Sequence, residues 1–187
     1  AQAAERTPII SGSWLGSGLG RYSAKYATMV RDLVAIIRAG PGKVLVYHDR
    51  VQMSGVLLLE EILRYSGFID ESSTPTDGTM CAVCGHARKG HRSHQFEPAR
   101  FVSIHYNVDK STIRRSLDKF NSPANVDGNM CRVLLGSRII REGFDFSCVR
   151  HELILSAPPD ISTLVQIMGR VIRSGSHRQL APEDRNV

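Results

Sequence analysis

The sequence contains no apolar run near the ~20 residues that a membrane-spanning helix needs, and no charged-then-apolar segment of the signal-peptide kind. No membrane partner is therefore expected. It has four cysteines in 187 residues, at positions 81, 84, 131 and 148, too few for a disulfide scaffold of this length. Cys131 and Cys148 lie in apolar surroundings, MCRVLL and FSCVR, and read as buried thiols. There is no internal repeat. A G-x-x-x-x-G-K-[ST] loop is also lacking, as is a D-E-x-H-type acid pair. Nothing in the chain by itself can cradle a triphosphate and its Mg²⁺, so the chain alone is expected not to hydrolyse ATP.

What remains is an ordinary globular composition, 42% hydrophobic and 22% charged. The length suits one domain with a sizeable core and room for an insertion. A formal charge of +6 is compatible with a polyanionic partner without demonstrating one. Residues 1–22 include SGSWLGSGLG, a Gly/Ser-rich stretch that reads as a linker from a missing N-terminal part. The chain is thus expected to be an excised domain spanning 23–187.

From Ser23 the pattern is helical. Tyr26, Met29, Val30, Leu33, Ile36 and Ile37 recur at three- and four-residue spacing, and Gly40-Pro41-Gly42 stops the run. KVLVYH (43–48) reads as a strand buried on both faces, and VQMSGVLLLEEILRYSGF as a second helix ending at Gly67. Residues 69–98 break the rhythm with turn formers and a Cys/His cluster. RFVSIHY (100–106) is the next strand. DKSTIRRSLDKF (109–120) is a helix capped by Asp109 or Ser111. CRVLLGS (131–137) and HELILSA (151–157) are strands, and DISTLVQIMGRVIRS is a final helix capped by Asp160 or Ser162. Alternation of this kind predicts an α/β fold, a parallel sheet with helices on both faces. Ligands of such sheets gather at the carboxyl ends of the strands.

The order of these segments resembles the C-terminal RecA-like lobe of superfamily 2 helicases. KVLVYH looks like motif IV. FVSIHYNVDKSTIRRSLDKF is similar to the strand–HG–helix segment, with Tyr106 where glycine is usual. GSRIIREGFDF (136–146) looks like motif V, with Glu142 where arginine is common, and QIMGRVIR matches Q-x-x-G-R-x-x-R of motif VI. The tail GRVIRSGSHRQLAPEDRNV, with SAKYATMV and REGFDF, looks like the helicase-type transcription ATPases of large cytoplasmic DNA viruses. That group includes the poxvirus early transcription factor small subunit, nucleoside triphosphatase I and their asfarvirus relatives.

The resemblance implies a motor lobe serving viral transcription, with ATP and Mg²⁺ held mainly by an N-terminal RecA-like lobe of the same polypeptide. Nucleic acid, DNA or RNA, would be the track and viral RNA polymerase a further partner, in the virion and host cytoplasm. It implies Arg173 as an arginine finger and Arg170 as a second γ-phosphate contact. Arginine suits this work because its planar fork stays charged and grips phosphate oxygens. Three-residue helical spacing would put both on one face, with Gly169 allowing close approach. Gln166, Gly169, Gly143 and Asp145 fall near the nucleotide by the same resemblance, and Ser137 and His105 near nucleic acid.

The segment CAVCGHARKGHRSH adds Cys81-x₂-Cys84, a knuckle whose tight turn Gly85 permits, then His86, His91 and His94. Cys81, Cys84, His91 and His94 would make a Cys₂His₂ zinc set, with His86 a competing ligand. With few apolar residues, this insertion would draw its order from Zn²⁺. The competing function is a zinc-bearing module that docks nucleic acid or a polymerase and has no motor activity.

Overall fold

The computed structural model describes residues 18–141 and 143–185. Most of the expected linker, residues 1–17, lies outside them, as does Glu142. The last linker residues form a helical turn, α1 (Leu19–Tyr22), whose Leu19 is buried. Ser23 caps the following helix α2 (Ala24–Ala39) by accepting the Tyr26 amide at 3.3 Å. Gly40, at φ 148°, ends it. Strand β1 (Lys43–Tyr47) is buried at every position, as an apolar run between two neighbours must be. Helix α3 (Val56–Tyr65) and the two-residue strand β2 (Ile69–Asp70) follow.

After the Cys/His segment come β3 (Arg100–Ile104), α4 (Lys110–Asn121), β4 (Val133–Gly136), β5 (Val149–Ile154) and α5 (Ile161–Met168). Asp109 caps α4 through Thr112, and Asp160 caps α5 through Thr163. The strands form one parallel sheet in the order β2-β3-β4-β1-β5. Its residues alternate between two cores. Val44, Val46, Phe101, Val133 and Leu135 pack with α2 and α3. Leu45, Tyr47, Val102, Ile104 and Leu134 pack with α4 and α5.

Three expectations need correction. Ile69–Asp70, assigned to the insertion, pairs with Arg100 and Phe101 as the edge strand. The strand expected at 151–157 begins at Val149 and ends at Ile154. The last helix stops at Met168 instead of Ser174. Gly169 donates to the Val165 carbonyl, and Arg170 and Val171 then bond three residues back, tightening the chain into a turn.

The amino ends of the strands bury two cations that the sequence pattern did not flag. Lys43 donates its ammonium to the Phe120 carbonyl at 2.7 Å, and Arg132 donates to the Asp127 carbonyl at 2.9 Å and to that of Gly40. Burial pushes Lys43 down to about 8 and Arg132 to about 10.

Candidate nucleotide and nucleic-acid site

The carboxyl ends of β1, β3, β4 and β5 lock together through their outgoing residues. The His48 amide donates to the Gly136 carbonyl at 3.0 Å, Ser137 to Ile104 at 3.1 Å, and Leu155 to Tyr47 at 2.9 Å. Asp49 joins in by donating its amide to the Ser156 hydroxyl at 3.0 Å. Its carboxylate accepts a two-pronged grip from Arg138, whose Nε lies 2.7 Å from Oδ1 and whose Nη2 meets Oδ2. Tyr47 donates to the same carboxylate at 3.0 Å. Arg138 holds the Asp49 carboxyl below its ordinary value, while burial and then Asp49 push the Tyr47 hydroxyl up to about 12. Motif IV and motif V are thereby one unit. Residues 89 apart carry the link, and no local pattern could have announced it.

Motif VI closes onto motif V in the same way. Arg170 donates to the Arg141 carbonyl, and Arg173 pairs with the Asp145 carboxylate. Because α5 ends at Met168, the two arginines leave a turn rather than one helical face. That corrects the spacing argument, yet both still converge on one segment. Gly169 also has a more local reason than expected: a Cβ there would sit 2.9 Å from the Val165 carbonyl oxygen. Arg173 and Asp145 are both more than half exposed, so the ion pair lies open to solvent. Gly143 takes φ +87°, a conformation that favours glycine. Gln166 is exposed on α5. Beside it Ile161, Val165 and Met168 recur at helical spacing along α5 and Ile172 follows in the turn, each between 40% and 78% exposed.

The two residues assigned to nucleic acid are less open. Ser137 is 1% exposed, and its hydroxyl donates to the Ile104 carbonyl at 3.4 Å. His105 is 4% exposed. Its Nδ1 accepts the Asn107 amide at 3.3 Å, so Nε2 carries the proton and donates to Glu60 at 3.3 Å. Burial raises the Glu60 carboxyl, yet His105 and Arg64 outweigh it and leave the group below its ordinary value. Sequence reasoning missed what is exposed beside these residues. A cavity of about 500 Å³ at the strand ends is lined by Arg50, Met53, Tyr106 and Arg138, among others. Tyr106 is 61% exposed. The one available signal was that tyrosine in a place where glycine is usual.

At the opposite end of the sheet the insertion brings Cys81, Cys84, His91 and His94 together, with their ligand atoms all within 4.8 Å of one another. His86 is outside this group. It contributes its carbonyl, which accepts the Cys81 amide at 2.8 Å. Burial pushes the Cys81 thiol up, but the backbone amides of Glu97, Cys84 and Val83 outweigh it and hold the group below its ordinary value. The insertion is also less polar in effect than its composition suggests, since Met80 and Ala82 enter the main core.

Comparison with known proteins agrees with this arrangement. The family described as helicase conserved C-terminal domain matches residues 26–175. The early transcription factor large subunit homolog of African swine fever virus (isolate Pig/Kenya/KEN-50/1950) is 45% identical over 197 residues, covering all of this chain and 17% of that protein. Putative helicase 087L of invertebrate iridescent virus 3 is 31% identical over 165 residues, covering 87% of the chain and 15% of that protein. Putative ATP-dependent RNA helicase L377 of Acanthamoeba polyphaga mimivirus is 21% identical over 201 residues, covering 96% and 17%. The chain thus spans under a fifth of the length of each of these relatives. With the parallel sheet in place and motifs IV, V and VI meeting at its carboxyl ends, the chain belongs to the helicase conserved C-terminal domain family.

Proposed function

We propose that this chain is the C-terminal motor lobe of an ATP-dependent nucleic-acid helicase or translocase that serves viral transcription. The observation that carries the reading is the convergence of Arg170 and Arg173 on the motif V segment at Arg141 and Asp145. It puts a solvent-facing guanidinium beside an acid and a positive-φ glycine, on the side of the sheet where ligands of α/β folds collect. ATP and Mg²⁺ would be held mainly by an N-terminal RecA-like lobe, because this chain has no phosphate loop. Arg173 would exchange Asp145 for γ-phosphoryl oxygens and offset the charge that develops there during hydrolysis. Arg170, tied to the Arg141 carbonyl, would transmit the same event to motif V.

Nucleic acid would run across the open strand ends, where Arg50 supplies charge, Arg138 is paired with Asp49, and Tyr106 offers a face on which a base can stack. The exposed apolar row of α5 suits docking of the N-terminal lobe. A role in transcription draws on the name of the African swine fever virus relative, early transcription factor large subunit homolog; viral RNA polymerase would be the partner such a role calls for. The reading is tested in a two-lobed protein carrying this chain, by nucleic-acid-stimulated ATP hydrolysis. Arg173→Ala is expected to lower kcat about 10³-fold with nucleotide binding retained. Undiminished hydrolysis in that variant would overturn the assignment.

A further inference from the structure

We propose that Cys81, Cys84, His91 and His94 hold one structural zinc ion that fastens the insertion to the edge of the sheet. The proposal stands on donor geometry and is independent of the motor reading. A tetrahedral zinc with Zn–S ~2.3 Å and Zn–N ~2.05 Å separates its ligand atoms by roughly 3.3–3.8 Å. The corresponding separations here are 3.9 Å for Cys81 Sγ to His94 Nε2, 3.3 Å for Cys84 Sγ to His91 Nε2, and 3.3 Å between the two Nε2 atoms. These three separations lie at or close to tetrahedral values, and all four donors fall within 4.8 Å of one another. The short His-x₂-His spacing is accommodated by setting the two rings nearly perpendicular, at 84°, with centroids 4.4 Å apart.

The surroundings fit as well. His94 donates Nδ1–H to the Gln95 carbonyl at 2.7 Å, which leaves the Nε2 lone pair for a metal. The His91 ring is braced edge-on by Phe96 at 5.5 Å. Two sulfurs and two imidazoles favour zinc over hard cations such as Mg²⁺ or Ca²⁺. Four protein ligands fill the tetrahedron and leave no position for a substrate, so the ion would act structurally.

Its task follows from what the loop is woven into. Cys81 bridges to Pro98, just before β3, and Met80 bridges to Ala87. Met80 also accepts from Ala99 at 2.8 Å and donates to Gly67 at 2.7 Å, beside the edge strand β2. Gly85, at φ +68°, lies so close to the end of α2 that a Cβ would meet Arg38 Cγ at 3.0 Å. The ion would thus clamp the amino-end corner of the sheet and shield its short edge strand. The motif IV, V and VI residues lie at the other end.

The test uses the 187-residue chain purified without added metal or chelator. Elemental analysis is expected to find about one zinc per chain. Cobalt(II) added after chelation should restore a tetrahedral, thiolate-bearing absorption spectrum and the melting temperature lost with zinc. His86→Ala should retain the spectrum, and Cys84→Ser should lose it. If Cys84→Ser does not fold, the metal titration of the chelated wild-type chain decides. Zinc near zero with reduced thiols, a Cys81–Cys84 disulfide in the purified chain, or loss of metal on His86→Ala would each overturn the proposal.

Discussion

Arg173 rests on Asp145, so the cation at the end of motif VI is neutralised by the acid at the end of motif V. Both side chains are more than half exposed. Such a pair is screened by water and salt, and is worth at most about 1 kcal/mol. Asp145→Asn and Arg173→Ala should therefore each leave the urea-unfolding free energy of the chain within about 1 kcal/mol of wild type. A larger loss would mean that the pair is a structural tie rather than a resting position for the arginine.

Asp49 should show its pairing with Arg138 on the acid side. Its folded value is depressed, so its contribution to stability is fully present above the ordinary carboxylate value of ~3.9 and disappears as pH falls through the folded value. Denaturant melts of wild type and Asp49→Asn should thus differ at pH 6 and converge as the solution is acidified. Parallel curves down to the lowest pH would contradict the link between motifs IV and V.

Lys43 gives the opposite, alkaline signature. Its folded value is pushed down to about 8, against an ordinary value of ~10.4. Between these the unfolded chain binds more protons, so stability rises with pH, by up to about 1.4 kcal/mol per unit. Cys131 and Tyr47, both pushed up to about 12, act in the other direction above their ordinary values of ~8.5 and ~10. The comparison of wild type with Lys43→Met between pH 8 and 9 isolates the lysine. Wild type should gain on the variant across that window.

His105→Ala separates a structural role from a nucleic-acid role. The ring is buried and partnered at both nitrogens. Its removal leaves Glu60 Oε1 without this partner, Arg64 keeping Oε2 at 3.1 Å, and should cost about 1–3 kcal/mol in a chemical melt. Tyr106→Ala, at an exposed neighbour, should leave stability within about 0.5 kcal/mol. In a two-lobed protein it should weaken single-stranded nucleic-acid binding by about 1–3 kcal/mol, the range for one stacked base. The reverse pattern would return His105 to the nucleic-acid surface.

Much of this was readable from periodicity and punctuation. The α2 stripe, the apolar run Val44–Tyr47 of β1, and the Asp109 and Asp160 caps are local signals, and each element formed where its signal lay. The motif order carried the family and brought the site residues to one end of the sheet. Other features depend on residues distant in sequence. Ile69 and Asp70 carry no alternation and become a strand only because Arg100 and Phe101 lie alongside. The apolar spacing of α5 continues to Ile172, but the backbone departs from it at Gly169, where a tight turn wins over periodicity. Lys43 opens the KVLVYH run, and nothing local says how its charge is satisfied. The Phe120 carbonyl, 77 residues away, is what lets it stay inside.

The exposure of Ile161, Val165 and Met168 along α5, with Ile172 just beyond it, has a consequence for solvation. Water meets those side chains at a free-energy cost that any covering surface would reduce. Val165 is 60% exposed, so a polar replacement there would lower that cost and leave both cores intact.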